Sequence, residues 1–259
     1  MVNKVCILPF LLAVFLPVSF LITYAVAVKL GHVYAAFPYI SDTGSLPPES
    51  CIFGQFVNIY AVIAALFMFV RYSQIREHYR PVEELGGVTP SRRRKLLANK
   101  VALVIGLLGD LGASMVGNFQ EDAVIEAHVV GAFMAFGLGG IYVWMQSVIS
   151  YGVTSLNGTT KCCRHIRIVL CSTYTVLFIL MITFTTISMR LFKGKGNRNP
   201  KMWKPDDPGY DEHLVATITE WLMVVMLSLF FATFYKEFKQ VGVKAKVIQK
   251  NQVGVNESV

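Results

Sequence analysis

Six long apolar stretches constrain what this chain can fold into more than any other feature of its sequence. Polar and charged segments separate them, and each is close to the ~20 residues that an α-helix needs to cross a bilayer. Backbone N–H and C=O groups in hydrocarbon must bond to one another, so stretches of this kind form helices. The predicted helices cover residues 7–28, 51–70, 101–117, 123–148, 166–189 and 214–235.

Composition favours one membrane domain over a soluble protein. The 259 residues are 54% hydrophobic and only 15% charged, and no long polar region remains for a separate soluble domain. The predicted fold class is an all-α membrane protein with six transmembrane helices in one bundle. Residues 1–238 form this domain, and residues 239–259 form a basic tail that we expect to be disordered.

The distribution of positive charge predicts the orientation of the bundle. With the N-terminus in the cytosol, 17 of the 24 Lys and Arg residues fall on the cytosolic side. The positive-inside rule therefore favours cytosolic N- and C-termini, although a cluster of cations at residues 190–204 lies on the lumenal side. In this topology the glycosylation sequons at Asn157 and Asn256 face the cytosol and stay unused.

Polar side chains inside the predicted helices are costly in hydrocarbon and need partners or a function. Asp110 lies near the middle of the third helix, the most expensive depth for a carboxylate. Five other residues share the lumenal half of the bundle, and two hypotheses fit them. One is a lumenal pocket for a lipid headgroup, an ion or a proton relay, and the other is a structural hydrogen-bond network. These residues are Asn58, Asn118, Gln120, His128 and Glu220.

Motifs for catalysis are absent from the sequence. His32, His128 and His213 come from separate segments without the HExxH spacing of a zinc hydrolase, and no GxSxG, phosphate loop or dinucleotide fingerprint occurs. We therefore predict a non-enzymatic protein with no catalytic residue, metal or cofactor. The net charge of +8 follows the membrane topology, so nucleic-acid binding is not expected.

Two cytosolic features allow more than one interpretation. The run Arg92-Arg93-Arg94-Lys95 suits contact with anionic lipid, although such a run also serves as a topology signal. Cys162 and Cys163 precede the fifth helix, where reversible palmitoylation or two unmodified thiols are the alternatives.

Several short polar motifs recur in a definite order along the chain. The first loop contains a PYISDTG sequence, followed by PPES at residues 47–50. Further motifs are NFQE at 118–121, Gln146 with Ser150-Tyr151, and a PGY sequence at 208–210 with Glu220-Trp221. The residues of the first-loop motif are Pro38, Tyr39, Ser41, Asp42, Gly44, Pro48 and Glu49.

As an ordered set these motifs resemble the damage-regulated autophagy modulator (DRAM) family, which is related to the transmembrane protein 150 group. The resemblance implies a multi-pass protein of lysosomal or other endomembranes that modulates macroautophagy and, in some members, apoptosis. It supplies no catalytic residues.

Other functions stay open. One is a membrane lipid-binding or lipid-remodelling factor, and another is a plasma-membrane adaptor of a phosphoinositide kinase complex. The expected partners are membrane lipids, including anionic lipid at the cytosolic face, and unidentified autophagy or membrane-trafficking proteins.

Overall fold

Each of the six apolar stretches forms a long helix. The computed structural model describes residues 4–84, 89–153, 156–192 and 201–243, and within these residues it contains no β-strand. All six helices are long and apolar enough to cross a membrane, which confirms the predicted fold class. The helices are α1 (Ile7–Leu30), α2 (Glu49–Glu84), α3 (Pro90–Asn118), α4 (Ile125–Gly152), α5 (Lys161–Phe192) and α6 (Tyr210–Ala232), followed by the short α7 (Tyr235–Phe238).

Several helices extend beyond the apolar stretches that predict them. α2 continues past Val70 to Glu84, so most of the polar segment expected to be a loop is helical. α3 then begins at Pro90, and the Thr89 hydroxyl caps it by accepting a hydrogen bond from the Arg92 N–H at 3.4 Å. Residues 244–259 of the tail predicted to be disordered lie outside the described residues. They include the sequon at Asn256.

The helices form a closed ring. α1 packs against α2 and α6, and each of the other helices packs against the next along the chain. Lys4 and Cys6 share a groove with Ala232 and Tyr235, so the start of α1 lies beside the end of α6. We call this side of the bundle the terminal end and the side that carries the first loop (31–48) the loop end.

Apolar side chains fill the terminal half of the ring and cover its outside. Inside, the Phe67 ring of α2 contacts the rings of Phe231, Phe234 and Phe238 at centroid distances of 5.0, 5.3 and 4.8 Å. Outside, large apolar residues stay exposed, as Val62 and Val169 do, each 62% exposed. The outer surface of the bundle is therefore apolar and suited to contact with lipid tails.

Glycines allow three helices to approach one another closely. A Cβ on Gly112 of α3 would lie 2.7 Å from the Gly131 oxygen of α4, and a Cβ on Gly131 would lie 2.9 Å from the Gly112 oxygen. A Cβ on Gly54 of α2 would lie 2.4 Å from the Gly117 oxygen of α3. Small residues therefore set the spacing on both sides of α3, as expected where dispersion packing holds helices together in lipid.

Candidate functional site

The first loop folds back over the loop end and is anchored to α6. The Ile40 backbone N–H donates a 2.7 Å hydrogen bond to Oε2 of Glu220, which is 6% exposed. The neighbouring Trp221 donates from its indole N–H to the Pro38 oxygen at 3.0 Å. Two adjacent residues of α6 therefore hold the PYISDTG motif against the helices.

Within this motif, a 3₁₀ turn covers Asp42–Gly44 and is fully enclosed. The Thr43 hydroxyl lies 3.1 Å from the Thr23 hydroxyl of α1, which fastens the turn to a second helix. A Cβ on Gly44 would lie 2.3 Å from the Phe53 ring of α2, so only glycine fits at this position. The shape of the loop therefore depends on close contact with α1, α2 and α6 together.

Tyr39 links the same loop to α5 and α6. Its hydroxyl lies 2.8 Å from the Thr185 hydroxyl, and its ring packs edge-on against His213 at a centroid distance of 5.1 Å. Burial raises the pKa of the Tyr39 hydroxyl above its ordinary value, so this group stays neutral. It serves as a hydrogen-bonding anchor.

The start of α2 closes the far side of the first loop. Glu49 is fully buried, and one of its carboxyl oxygens bonds Nδ1 of His32. The Pro48 oxygen accepts a hydrogen bond from the Cys51 N–H at 3.2 Å, within the first turn of α2. Both ends of the loop are thus tied to helix termini.

Acidic residues concentrate around the loop. Burial raises the pKa of Asp42 well above its ordinary value, and the neighbouring Glu121 carboxylate raises it further, whereas Lys201 opposes the shift. Lys201 also forms an ion pair with Asp122. Ser41 lies beside this cluster, with its hydroxyl 3.5 Å from a Glu121 oxygen.

Two of the five polar residues predicted to meet at this depth are directly bonded. The Asn58 amide donates to the Asn118 side-chain oxygen at 3.2 Å, and the Asn118 amide donates back at 3.1 Å. The Ser114 hydroxyl donates to the same Asn58 oxygen at 2.7 Å. Gln120 is not bonded to this pair among the described residues, and its backbone oxygen instead accepts from the N–H of Ala123 at 3.0 Å within the α3–α4 turn.

The other two predicted residues, His128 and Glu220, both line a cavity in the ring. Nδ1 of His128 lies 2.8 Å from the Phe119 oxygen, so this nitrogen carries the proton and donates it. Among the described residues no hydrogen bond joins His128 to Glu220, whose carboxylate bonds the Ile40 N–H instead. A direct proton transfer between them would need a bridging group.

Asp110 lines the same cavity about two-thirds of the way along α3. Its carboxyl forms no hydrogen bond or ion pair among the residues that the structure describes. The Tyr60 hydroxyl of α2 interacts with it electrostatically. Asp110, which the sequence identifies as an acid inside the membrane without an assigned role, therefore lies at the wall of this cavity.

The terminal end contains a charge network that the sequence analysis missed. Glu237 accepts from Nη1 of Arg71 at 2.6 Å and from Nη2 of Arg167 at 2.5 Å, and all three side chains are 0% exposed. The Ser150 hydroxyl accepts from both arginines, at 3.1 and 2.7 Å. The Gln146 side-chain oxygen accepts from Nε of Arg71 at 3.1 Å.

Further contacts complete this network, which joins α2, α4, α5 and α7. Arg167 donates from Nε to the Thr233 hydroxyl at 2.9 Å, and its guanidinium stacks 3.6 Å from the centre of the Phe234 ring. The guanidinium of Arg71 lies 4.9 Å from the centre of the same ring. Gln146 and Ser150, which belong to the ordered motifs, were the sequence signal for this site.

The cytosolic features of the sequence analysis lie near this end. Arg93 and Arg94 are exposed at the start of α3, whereas Lys95 donates to the Gly152 oxygen of α4 at 2.9 Å. Cys162 is exposed, and the Cys163 thiol lies 3.5 Å from the Thr233 oxygen. Among the described residues, no group of three or more His, Cys, Asp or Glu side chains is arranged to hold a metal ion.

Comparison with known proteins extends over nearly the whole chain. A family model described as the Frag1/DRAM/Sfk1/Cwh43P N-terminal domain matches residues 4–241. The chain is 33% identical over 240 residues to DNA damage-regulated autophagy modulator protein 2 of Bos taurus, covering 92% of this chain and 86% of the relative. It is 36% identical over 238 residues to human DNA damage-regulated autophagy modulator protein 1, covering 91% and 92%.

A more distant relative broadens this set. The modulator of macroautophagy TMEM150B of Xenopus tropicalis is 31% identical over 234 residues, covering 90% of this chain and 85% of the relative. No solved structure matches the chain. The resemblance seen in the polar motifs is confirmed, and the chain belongs to the Frag1/DRAM/Sfk1/Cwh43P family, within which it is a relative of the DRAM proteins and the transmembrane protein 150 group.

Proposed function

We propose that this chain is a non-enzymatic multi-pass protein of lysosomal or other endomembranes that modulates macroautophagy and contributes to apoptosis. The observation that carries the proposal is similarity over about nine-tenths of the chain to proteins named as autophagy modulators. The polar groups described above support it, because they bond to one another and to the backbone rather than form a nucleophile and base pair.

Autophagic flux in cells tests this function. Cells that lack the protein should show reduced starvation-induced turnover of a lipidated autophagosome marker, measured with and without a lysosomal inhibitor. Re-expression of the full chain should restore turnover, whereas a Glu237→Gln variant, which breaks the buried network, should not. Equal turnover with and without the protein would contradict the proposal.

Lipid binding or lipid remodelling is the second candidate function. Its support is that Glu220 and His128, on different helices, both face one internal cavity. Glu220→Gln and His128→Ala should then change the lipids that purify with a normally folded protein. Loss of folding alone would assign these residues to the structural network.

Partners and location follow from the same reasoning. We infer cytosolic termini, contact of Arg93 and Arg94 with anionic lipid, and palmitoylation at the exposed Cys162. Membrane-trafficking or autophagy proteins would bind on that face. Imaging of the tagged full chain separates lysosomal residence from residence at the plasma membrane, where an adaptor of a phosphoinositide kinase complex would act.

A further inference from the structure

The ring of helices encloses a cavity of about 140 Å³. It extends from Ser41 and Glu220, beneath the first loop, to Asp110 and Tyr142 farther along the bundle. Most of its lining is apolar. An engineered cavity of about 150 Å³ lined by apolar side chains stays dry and takes up small apolar molecules, so a cavity of this size and lining favours an apolar guest over water.

The charges of the lining restrict the guest. Within the described part of the chain, the lining contains the carboxyl groups of Asp110 and Glu220 but neither lysine nor arginine. A phosphate headgroup would meet two acids, one histidine and neither lysine nor arginine, which disfavours anionic lipid at this site. A hydroxyl or a protonated amine would instead find acceptors.

Asp110 is the group that most needs a partner. The two carboxyl groups differ, because Glu220 already accepts the Ile40 N–H whereas Asp110 has no hydrogen bond or ion pair among the described residues. A carboxyl group in the middle of a membrane is stabilised by a donor or a cation within reach. A guest that donates a hydrogen bond supplies that partner.

The wall that α4 contributes to the cavity leaves room for such a guest. Gly139 of α4 lines the cavity, and a Cβ placed on it would meet no atom within 4 Å. The preceding residues Phe133–Leu138 form a π-helical segment, a feature that often marks functional sites in α-helices. Gly137 is equally open but does not line the cavity, which provides a matched control.

We propose that this cavity binds the head and adjoining chain of a membrane-dissolved amphiphile whose head is a hydrogen-bond donor without phosphate, a hydroxyl or a protonated amine. The head bonds Asp110, and the adjoining apolar part packs against the wall beside Gly139. This inference deepens the second candidate function, lipid binding at the same cavity. It does not depend on the proposed role in autophagy, because binding is measured on the purified protein.

Photolabelling of the purified full chain in lipid nanodiscs tests the proposal. The probes are a long-chain amine, a long-chain alcohol and a phosphatidylserine, each with a diazirine on its chain. The amine or the alcohol should label residues that line the cavity, such as Asp110 and Tyr142, as assigned by fragment-ion sequencing, and unlabelled amphiphile of the same class should compete. Phosphatidylserine should label only lipid-facing residues of the same helices, such as Leu111.

Variants make the test specific. Gly139→Leu fills the space and should abolish labelling, whereas Gly137→Leu should retain it. Asp110→Leu should lower affinity about tenfold for either head, the effect of losing one hydrogen bond to a charged group. Asp110→Asn distinguishes the amine from the alcohol. It should weaken labelling by the amine, because it removes the paired charge, and retain labelling by the alcohol, because the amide keeps a hydrogen-bond acceptor.

Several results would overturn the proposal. They are labelling confined to lipid-facing helix surfaces, equal labelling by phosphatidylserine, and labelling that Gly139→Leu leaves unchanged. If Asp110→Leu does not fold, the comparison between Gly139→Leu and Gly137→Leu decides alone. A negative result here leaves the autophagy measurement untouched, so the two failures can be told apart.

Discussion

The two ends of the bundle bury charge in opposite ways. At the loop end the buried charged groups are mainly carboxyls, such as Asp42, Glu49 and Glu220. Glu220 accepts a backbone N–H and one oxygen of Glu49 bonds a histidine, whereas Asp42 lies near the Lys201 ammonium. At the terminal end two arginines share one glutamate. A carboxyl group can take up a proton and become neutral, but a guanidinium stays charged in proteins. The loop end can therefore respond to pH, whereas the terminal end needs its counter-ion at every pH.

Removing the counter-ion should produce the largest effect. Glu237→Gln leaves Arg71 and Arg167 buried without a compensating charge, and we expect it to lower the free energy of unfolding by about 3–5 kcal/mol. Denaturant unfolding in detergent micelles measures the loss. A loss below about 1 kcal/mol, the value of a surface pair, would show that the network is not buried from solvent.

Two controls accompany Glu237→Gln. Glu77→Gln breaks an exposed ion pair with Arg80 at 3.0 Å and should change stability by less than about 1 kcal/mol. Replacing Arg71, Arg167 and Glu237 together by methionine should be less harmful than Glu237→Gln alone, because no unpaired charge stays buried.

The corresponding change at the loop end should have a smaller effect. Glu220→Leu removes the acceptor of the buried Ile40 N–H, and we expect a loss of about 1–3 kcal/mol in the same unfolding measurement. Glu220→Gln keeps an oxygen that can accept this bond and should lose less. Equal losses in the two variants would show that charge, rather than the hydrogen bond to the first loop, is what Glu220 contributes.

Acidity should stabilise the loop end. The pKa of Asp42 is raised in the folded protein, so the folded state holds its proton more tightly than the unfolded chain. Stability is therefore highest below the unfolded pKa of about 3.9 and is lost as pH rises towards the native value, by about 1.4 kcal/mol for each unit between them. Unfolding midpoints measured from pH 4.5 to 7.5 should fall with pH.

Asp42→Asn is the control for this pH dependence. An amide does not titrate, so the variant should show a flatter pH profile than the unsubstituted protein. Identical profiles would mean that Asp42 does not set the response at the loop end.

The smallest effect concerns the exposed arginines near the terminal end. Arg93→Gln with Arg94→Gln should leave unfolding unchanged and weaken the preference for anionic over neutral lipid by about 1 kcal/mol for each residue. Native mass spectrometry of bound lipid measures this preference, with Lys100→Gln as a control for an exposed cation about two turns further along α3. If the preference for anionic lipid is unchanged, the basic run at residues 92–95 serves only as a topology signal.

Sequence patterns predicted the loop end better than the terminal end for a physical reason. Polar residues within apolar helices are easy to identify, because a polar side chain in hydrocarbon has a high free-energy cost. Asn58, Asn118 and Asp110 are identified from the sequence in this way. Arg71 directly follows Val70 at the end of an apolar stretch and was counted as a topology signal. Whether such a residue is buried depends on neighbours far away in sequence, as Glu237 is for Arg71.

Long-range contacts limited the loop-end prediction in the same way. The order of polar motifs indicated that the first loop is special, but nothing in it shows that the Ile40 N–H bonds Glu220, 180 residues later. Sequence alone also does not show that Gly112 makes the α4 contact while Gly117 packs against α2.

The orientation of the two ends in the membrane is the central claim, because it places the carboxyl-rich loop in the lumen and the arginine network at the cytosol. Glycosylation mapping of the full chain tests it most directly. A sequon introduced at the exposed Asp206 of the segment before α6, by Asp206→Asn with Pro208→Thr, should receive a glycan in the endoplasmic reticulum. The native sequon at Asn157 should remain bare. A glycan on Asn157, with none at the introduced site, would contradict the claim and reverse the assignment of both ends.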